Sequence, residues 1–174
     1  MKPLLLIDVD GPLNPYAAKP SRRPEGYQTH RMRPSGWENP WQKPLRVWLN
    51  PAHGAQLQAL PFDLVWCTTW QHEANEWIGP HIGLPELPVI EWPDSARTAR
   101  SDGVFWKTEG VVRWAEGRSF AWIDDDFTDK DRDYVARRHA GPALLHWISP
   151  RLGLLDHDLQ ALTEWADSLD ADAA

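Results

Sequence analysis

The chain has 174 residues, 42% of them hydrophobic and 25% charged, with a net charge of −7; this is the size and balance of one domain with a real core, and it excludes global disorder. A single cysteine, Cys67, excludes an internal disulfide and a cysteine-built zinc site, and suits a reducing, cytoplasmic setting. No run approaches the roughly 18 apolar residues that a membrane helix needs, and the apolar run after Lys2 ends in acids rather than at a signal-peptide cleavage site.

Pro3 to Val9 reads as a buried strand, short and apolar without polar alternation. It runs straight into Asp8 and Asp10, followed by Gly11 and Pro12. Residues 11–44 are rich in Pro, Gly, Arg and Asn and too long for a featureless loop; Tyr27–Arg33 and Leu45–Leu49 are expected to pair as a hairpin, so that 11–49 forms a flap inserted into a single domain spanning 1–174. Asn50-Pro51 is a helix start, continuing through Gln56–Leu60. Phe62–Cys67 is a second strand ending at Thr68-Thr69, Gln71–Ile78 a helix stopping near Gly79-Pro80, and Leu87–Ile90 a short third strand. A polar loop (92–103) leads to Lys107 and a helix over Thr108–Glu116, closed by Gly117. Phe120–Ile123 is a strand that runs into Asp124, Asp125 and Asp126; Asp129–His139 is helical, Ala143–Ile148 the last strand, Asp156–Leu169 an amphipathic helix, and the acidic, Ala-rich end from Asp167 frays.

Strands alternating with helices predict an α/β fold with a Rossmann-like parallel sheet and helices on both faces. In such sheets ligands bind beyond the carboxyl ends of the strands, where Asp8/Asp10, Thr68/Thr69 and Asp124/Asp125 would converge. Four carboxylates there would repel one another, which makes sense around a divalent cation. Oxygen ligands without histidine favour Mg²⁺. Lys107 and Thr68 add a cation and a hydroxyl suited to an anionic, phosphate-like group.

These stretches, "LLLIDVDGPLN", "LVWCTTW", "WKT" and "FAWIDDD", resemble in order the four motifs of the haloacid dehalogenase superfamily. The first and fourth are specific; the threonine and the lysine gain weight from order and spacing. More closely, they are similar to small members lacking a large cap domain, including the phosphatase-like domains of RNA-repair proteins. The resemblance implies an Mg²⁺-dependent phosphatase working through an aspartyl-phosphate. Asp8 would be the nucleophile and Asp10 the general acid and base. The cation would be held by Asp8, the main-chain carbonyl of Asp10, Asp124 and Asp125. Thr68 or Thr69, Lys107 and the backbone around Gly11 would bind the phosphoryl group. An acid at Asp10 favours phosphate over halide chemistry, since halide needs no proton. Pro12 and Asn14-Pro15 depart from the common pattern and are read as variation in the loop that gates the site.

The substrate is expected to be a phosphomonoester, either a small metabolite or a nucleic-acid end. Residues 11–50 carry seven Lys and Arg against two Glu, whereas residues 151–174 carry one Arg against six acids. A basic flap bearing Tyr27, Trp37 and Trp41 suits a phosphate-rich or base-stacking partner, although the overall charge argues against tight non-specific nucleic-acid binding. A phosphorylation-dependent receiver is excluded by motif order, because Lys107 precedes the paired acids. A non-catalytic metal- and phosphate-binding module is the alternative. "HEANE" at His72–Glu76 lacks the second histidine of a zinc helix and reads as a polar face. Cys67 reads as a buried strand residue.

Overall fold

The computed structural model describes residues 1–172. The central sheet has four parallel strands in the order β4-β1-β5-β6, formed by β1 (Leu4–Ile7), β4 (Asp63–Trp66), β5 (Phe120–Asp124) and β6 (Ala143–Trp147). A separate antiparallel hairpin pairs β2 (Gln28–Met32) with β3 (Leu45–Leu49). The helices are α1 (His53–Ala59), α2 (Glu73–Trp77), α3 (Gly79–Ile82), α4 (Thr108–Ala115), α5 (Asp129–Arg138) and α6 (Asp156–Asp172).

Alternation along the strands sorts the core into two layers. Leu5, Ile7, Trp66, Ala121 and Ile123 pack with residues of α1, α2, α3 and α6. Leu4, Leu6, Val65, Phe120 and Trp122 pack with residues of α4 and α5 on the other face. This is an α/β sandwich with a parallel sheet covered on both sides, as expected for strands that read as unbroken apolar runs. Among the described residues, no helix is long and apolar enough to cross a membrane.

The hairpin is anchored at its base. Met32, Val47 and Leu49 belong to the first core layer, and the Trp48 N–H donates to the Asn14 side-chain oxygen at 3.0 Å.

Several expectations shift. Leu87–Ile90 is not a strand but a single bridge, Trp66 to Val89; Pro85 and Pro88 both precede Val89, and a proline cannot donate to a ladder. The helix expected from Gln71 starts at Glu73, because Gln71 adopts a left-handed backbone (φ 49°). Gly79-Pro80 opens α3 instead of only closing α2. A short 3₁₀ turn, Asp94–Ala96, interrupts the polar loop. The helix near Asn50-Pro51 begins at His53, with the Asn50 side chain accepting from the Ala52 N–H at 3.0 Å. The acidic end expected to fray is helical through Asp172; residues 173–174 lie outside the described residues.

Candidate functional site

β1 sits between β4 and β5, so its carboxyl end is the middle of the sheet edge. Ile7 pairs with Trp66 on one side and with Ile123 on the other. The ladder runs one step further: the Cys67 N–H donates to the Ile7 carbonyl, and the Asp8 N–H to the Ile123 carbonyl. Asp8 therefore stands level with Cys67 and Asp124. Thr68 follows one residue later.

Lys107 reaches this edge from the residue before α4. Its Nζ lies 3.0 Å from Asp8 Oδ1 and 2.8 Å from Asp124 Oδ2, and all three side chains are buried. Burial by itself lowers the Lys107 pKa, but the Asp124 and Asp8 carboxylates outweigh it and hold the ammonium charged. Burial raises the Asp8 pKa well above its usual range; Lys107 opposes this, while Asp124 and Asp10 add to it. Burial also pushes Asp125 up to about 6, against the hydrogen bond from Tyr16.

Oxygens of Asp8, Asp124 and Asp125 lie within 4.8 Å of one another. Ionising all three carboxylates against one ammonium would leave two negative charges uncompensated. An all-oxygen donor set with that deficit fits a hard divalent cation such as Mg²⁺. The Asp10 carboxylate lies outside this cluster: its oxygens accept from Asn14 Nδ2 at 2.8 Å and Trp70 Nε1 at 2.9 Å. The Asp10 side chain is thus not brought into the cluster with the other three carboxylates.

Gly11 is required twice over. Its φ is +97°, and a Cβ there would sit 2.3 Å from Asp125 Oδ1. The two threonines diverge. Thr68 is fully buried, its hydroxyl accepting the Trp70 N–H at 3.3 Å. Thr69 is exposed and lines a cleft of about 710 Å³ that opens in front of Asp10. Asn14, Trp37, Arg46, Trp70 and Arg97 share that lining.

Asp126 donates its N–H to Asp124 Oδ1 at 3.0 Å and so orients it. His72 pairs with Glu91 at 2.8 Å, and Glu73 accepts the Ser35 N–H at 2.7 Å, so "HEANE" is a helix face that docks the hairpin loop. Burial pushes the Cys67 thiol up, away from a nucleophile's thiolate.

Sequence reading missed four supports. Asn14, taken as loop variation, holds Asp10 directly. Trp70 does the same from the loop after β4. Tyr16 donates to Asp125 Oδ2 at 2.9 Å. Asp131, fully buried, accepts from the Phe105 N–H at 2.7 Å, the Thr108 hydroxyl at 2.6 Å and the Thr128 N–H at 2.7 Å, and so pins both flanks of Lys107. Only Asp131 had a readable signal, since Thr128-x-x-Asp131 approximates a capping box.

Comparison with family models, curated proteins and solved structures finds no match.

Proposed function

We propose that the protein is an Mg²⁺-dependent phosphomonoesterase of the haloacid dehalogenase type, with Asp8 as nucleophile. The observation that carries this reading is Lys107 locked between Asp8 and Asp124 at the carboxyl edge of a parallel sheet, next to a third carboxylate, Asp125. Two buried carboxylates and a half-buried third around one ammonium cost stability, and such costly clusters of perturbed groups gather at functional sites.

Asp8, Asp124 and Asp125, with the Asp10 carbonyl, would hold Mg²⁺, which when bound offsets the repulsion between an anionic carboxylate and an anionic phosphate. In the first step an Asp8 oxygen attacks phosphorus and the ester P–O bond breaks. Asp10 gives its proton to the departing oxygen. In the second step Asp10 takes a proton from water, whose oxygen attacks phosphorus and frees Asp8. Lys107 keeps Asp8 oriented and, with the Thr68 hydroxyl, binds phosphoryl oxygens.

The leaving group would extend into the cleft beside Asp10, under a hairpin acting as an open, anchored flap. Arg46 and Arg97 there suit a substrate with further negative charge, and Trp37 suits a planar group. A small phosphorylated metabolite and a phosphate-ended nucleic acid both meet that description.

The test is to trap the intermediate. Acid-quenched turnover followed by borohydride reduction should convert Asp8 to homoserine, read by peptide mass spectrometry. Turnover with no homoserine formed at position 8 would refute the mechanism. Cation binding without turnover of any phosphomonoester would favour the non-catalytic module.

A further inference from the structure

Asp10 is tied down at both carboxylate oxygens, and the two ties come from different parts of the fold. Oδ1 accepts from Asn14 Nδ2 at 2.8 Å and Oδ2 from the Trp70 indole Nε1 at 2.9 Å. Each donor is itself fixed. Asn14 is 5% exposed, and its side-chain oxygen accepts the Trp48 N–H of β3 at 3.0 Å. Trp70 is 8% exposed, and its main-chain N–H donates to the Thr68 hydroxyl at 3.3 Å. The Asp10 carboxylate therefore bridges the hairpin and the loop that carries the candidate phosphate-binding threonine.

An aspartate on a turn has two free side-chain torsions. A group that must meet the leaving oxygen within hydrogen-bond reach needs both torsions fixed, and a misplacement of about 1 Å costs on the order of 100-fold in rate. One donor per oxygen supplies that constraint. Packing alone would be served by phenylalanine at 70, and the bond from Trp48 uses only the Asn14 oxygen; the Trp70 indole N–H and the Asn14 amide N–H are both spent on Asp10. Both residues also line the cleft into which a leaving group would extend.

We propose that Trp70 and Asn14 are positioning residues that aim the Asp10 carboxylate at the leaving-group oxygen, so that they set how well the protein cleaves esters with poor leaving groups. This rests on the phosphatase reading. An activated aryl phosphate leaves without help, whereas an alkyl phosphate needs the proton. In kcat/KM, which covers the steps through departure of the alcohol and not the later hydrolysis in which Asp10 is the base, loss of aim is therefore selective in a way that general loss of structure is not.

The experiment compares wild type, Trp70→Phe, Asn14→Ala and Asp10→Asn on p-nitrophenyl phosphate and glycerol phosphate with Mg²⁺, with thermal melts as the control for folding. Trp70→Phe and Asn14→Ala should lose about 30- to 100-fold in kcat/KM on the alkyl ester and less than about 3-fold in kcat/KM on the aryl ester. Asp10→Asn should show the same selectivity, more strongly. Equal losses on the two esters, or no loss on either, in a folded Trp70→Phe or Asn14→Ala would overturn the proposal. A wild type that turns over neither ester overturns the phosphatase reading instead. The tie is then decided by the Trp70 indole N–H resonance, assigned by its absence in Trp70→Phe. It should move in Asp10→Asn; a resonance that stays put overturns the proposal.

Discussion

Replacing Lys107 by methionine probes the centre of the site through stability alone. The ammonium touches Asp8 at 3.0 Å and Asp124 at 2.8 Å, with all three groups almost wholly shielded from water. Methionine keeps most of the side-chain length and removes the charge, leaving two carboxylates buried side by side. Removing one partner of a buried ion pair costs about 3–5 kcal/mol. At about 2–4 °C per kcal/mol for a chain of this size, Tm should fall by about 6–20 °C at pH 7. Adding Asp8→Asn removes one of the stranded charges and should recover part of the loss. Differential scanning fluorimetry of the single and double variants checks both. A single variant melting within about 2 °C of wild type would refute the idea that Lys107 neutralises a charged pair.

Gly11→Ala should lower Tm by about 2–8 °C, from about 1–2 kcal/mol of strain at its positive φ. It should also blunt the Tm rise produced by Mg²⁺, because the new Cβ collides with Asp125; an undiminished Mg²⁺ shift counts against Asp125 as a ligand. Burial lowers the His53 pKa to about 4. A histidine with a depressed folded pKa gives stability that is present above its unfolded value of about 6.5 and lost as pH falls toward 4, here about 3 kcal/mol. Urea titrations of wild type and His53→Gln between pH 7 and 4 should show the variant's stability falling less steeply; parallel curves would contradict the assignment. Asp131→Asn leaves one side-chain oxygen where two now serve four donors, and should cost about 1–3 kcal/mol. Amide exchange should quicken at Phe105 and Thr108, and unchanged exchange would show that Asp131 does not hold the Lys107 segment.

How much of this was legible in the chain depends on sequence distance. Asp8, Thr68, Lys107 and Asp124 stand at strand ends or at a helix start, so local apolar runs and their punctuation located them. The two core layers follow from the same runs. The ties to Asp10 were not readable from Trp70, which lies 60 residues away, because an indole N–H has no local preference for a particular carboxylate. Asn14 was read as loop variation because its two partners, Asp10 and Trp48, become neighbours only when the hairpin docks. Leu87–Ile90 misled for a physical reason: the run is apolar, but its prolines allow only one bridge. Gln71 looked helical by pattern, yet its side chain instead accepts the Trp92 N–H at 3.2 Å from a left-handed backbone.

The most direct measurement of the central claim is hydrolysis of an aryl phosphate by wild type and Asp8→Asn, with Mg²⁺ and with EDTA. Asp8→Asn keeps the size of the side chain and leaves the Lys107–Asp124 pair in place. Wild type should turn the ester over in Mg²⁺, lose that turnover in EDTA and recover it when Mg²⁺ is added back, and Asp8→Asn should show none above background. Turnover in Asp8→Asn equal to that of wild type would contradict the central claim.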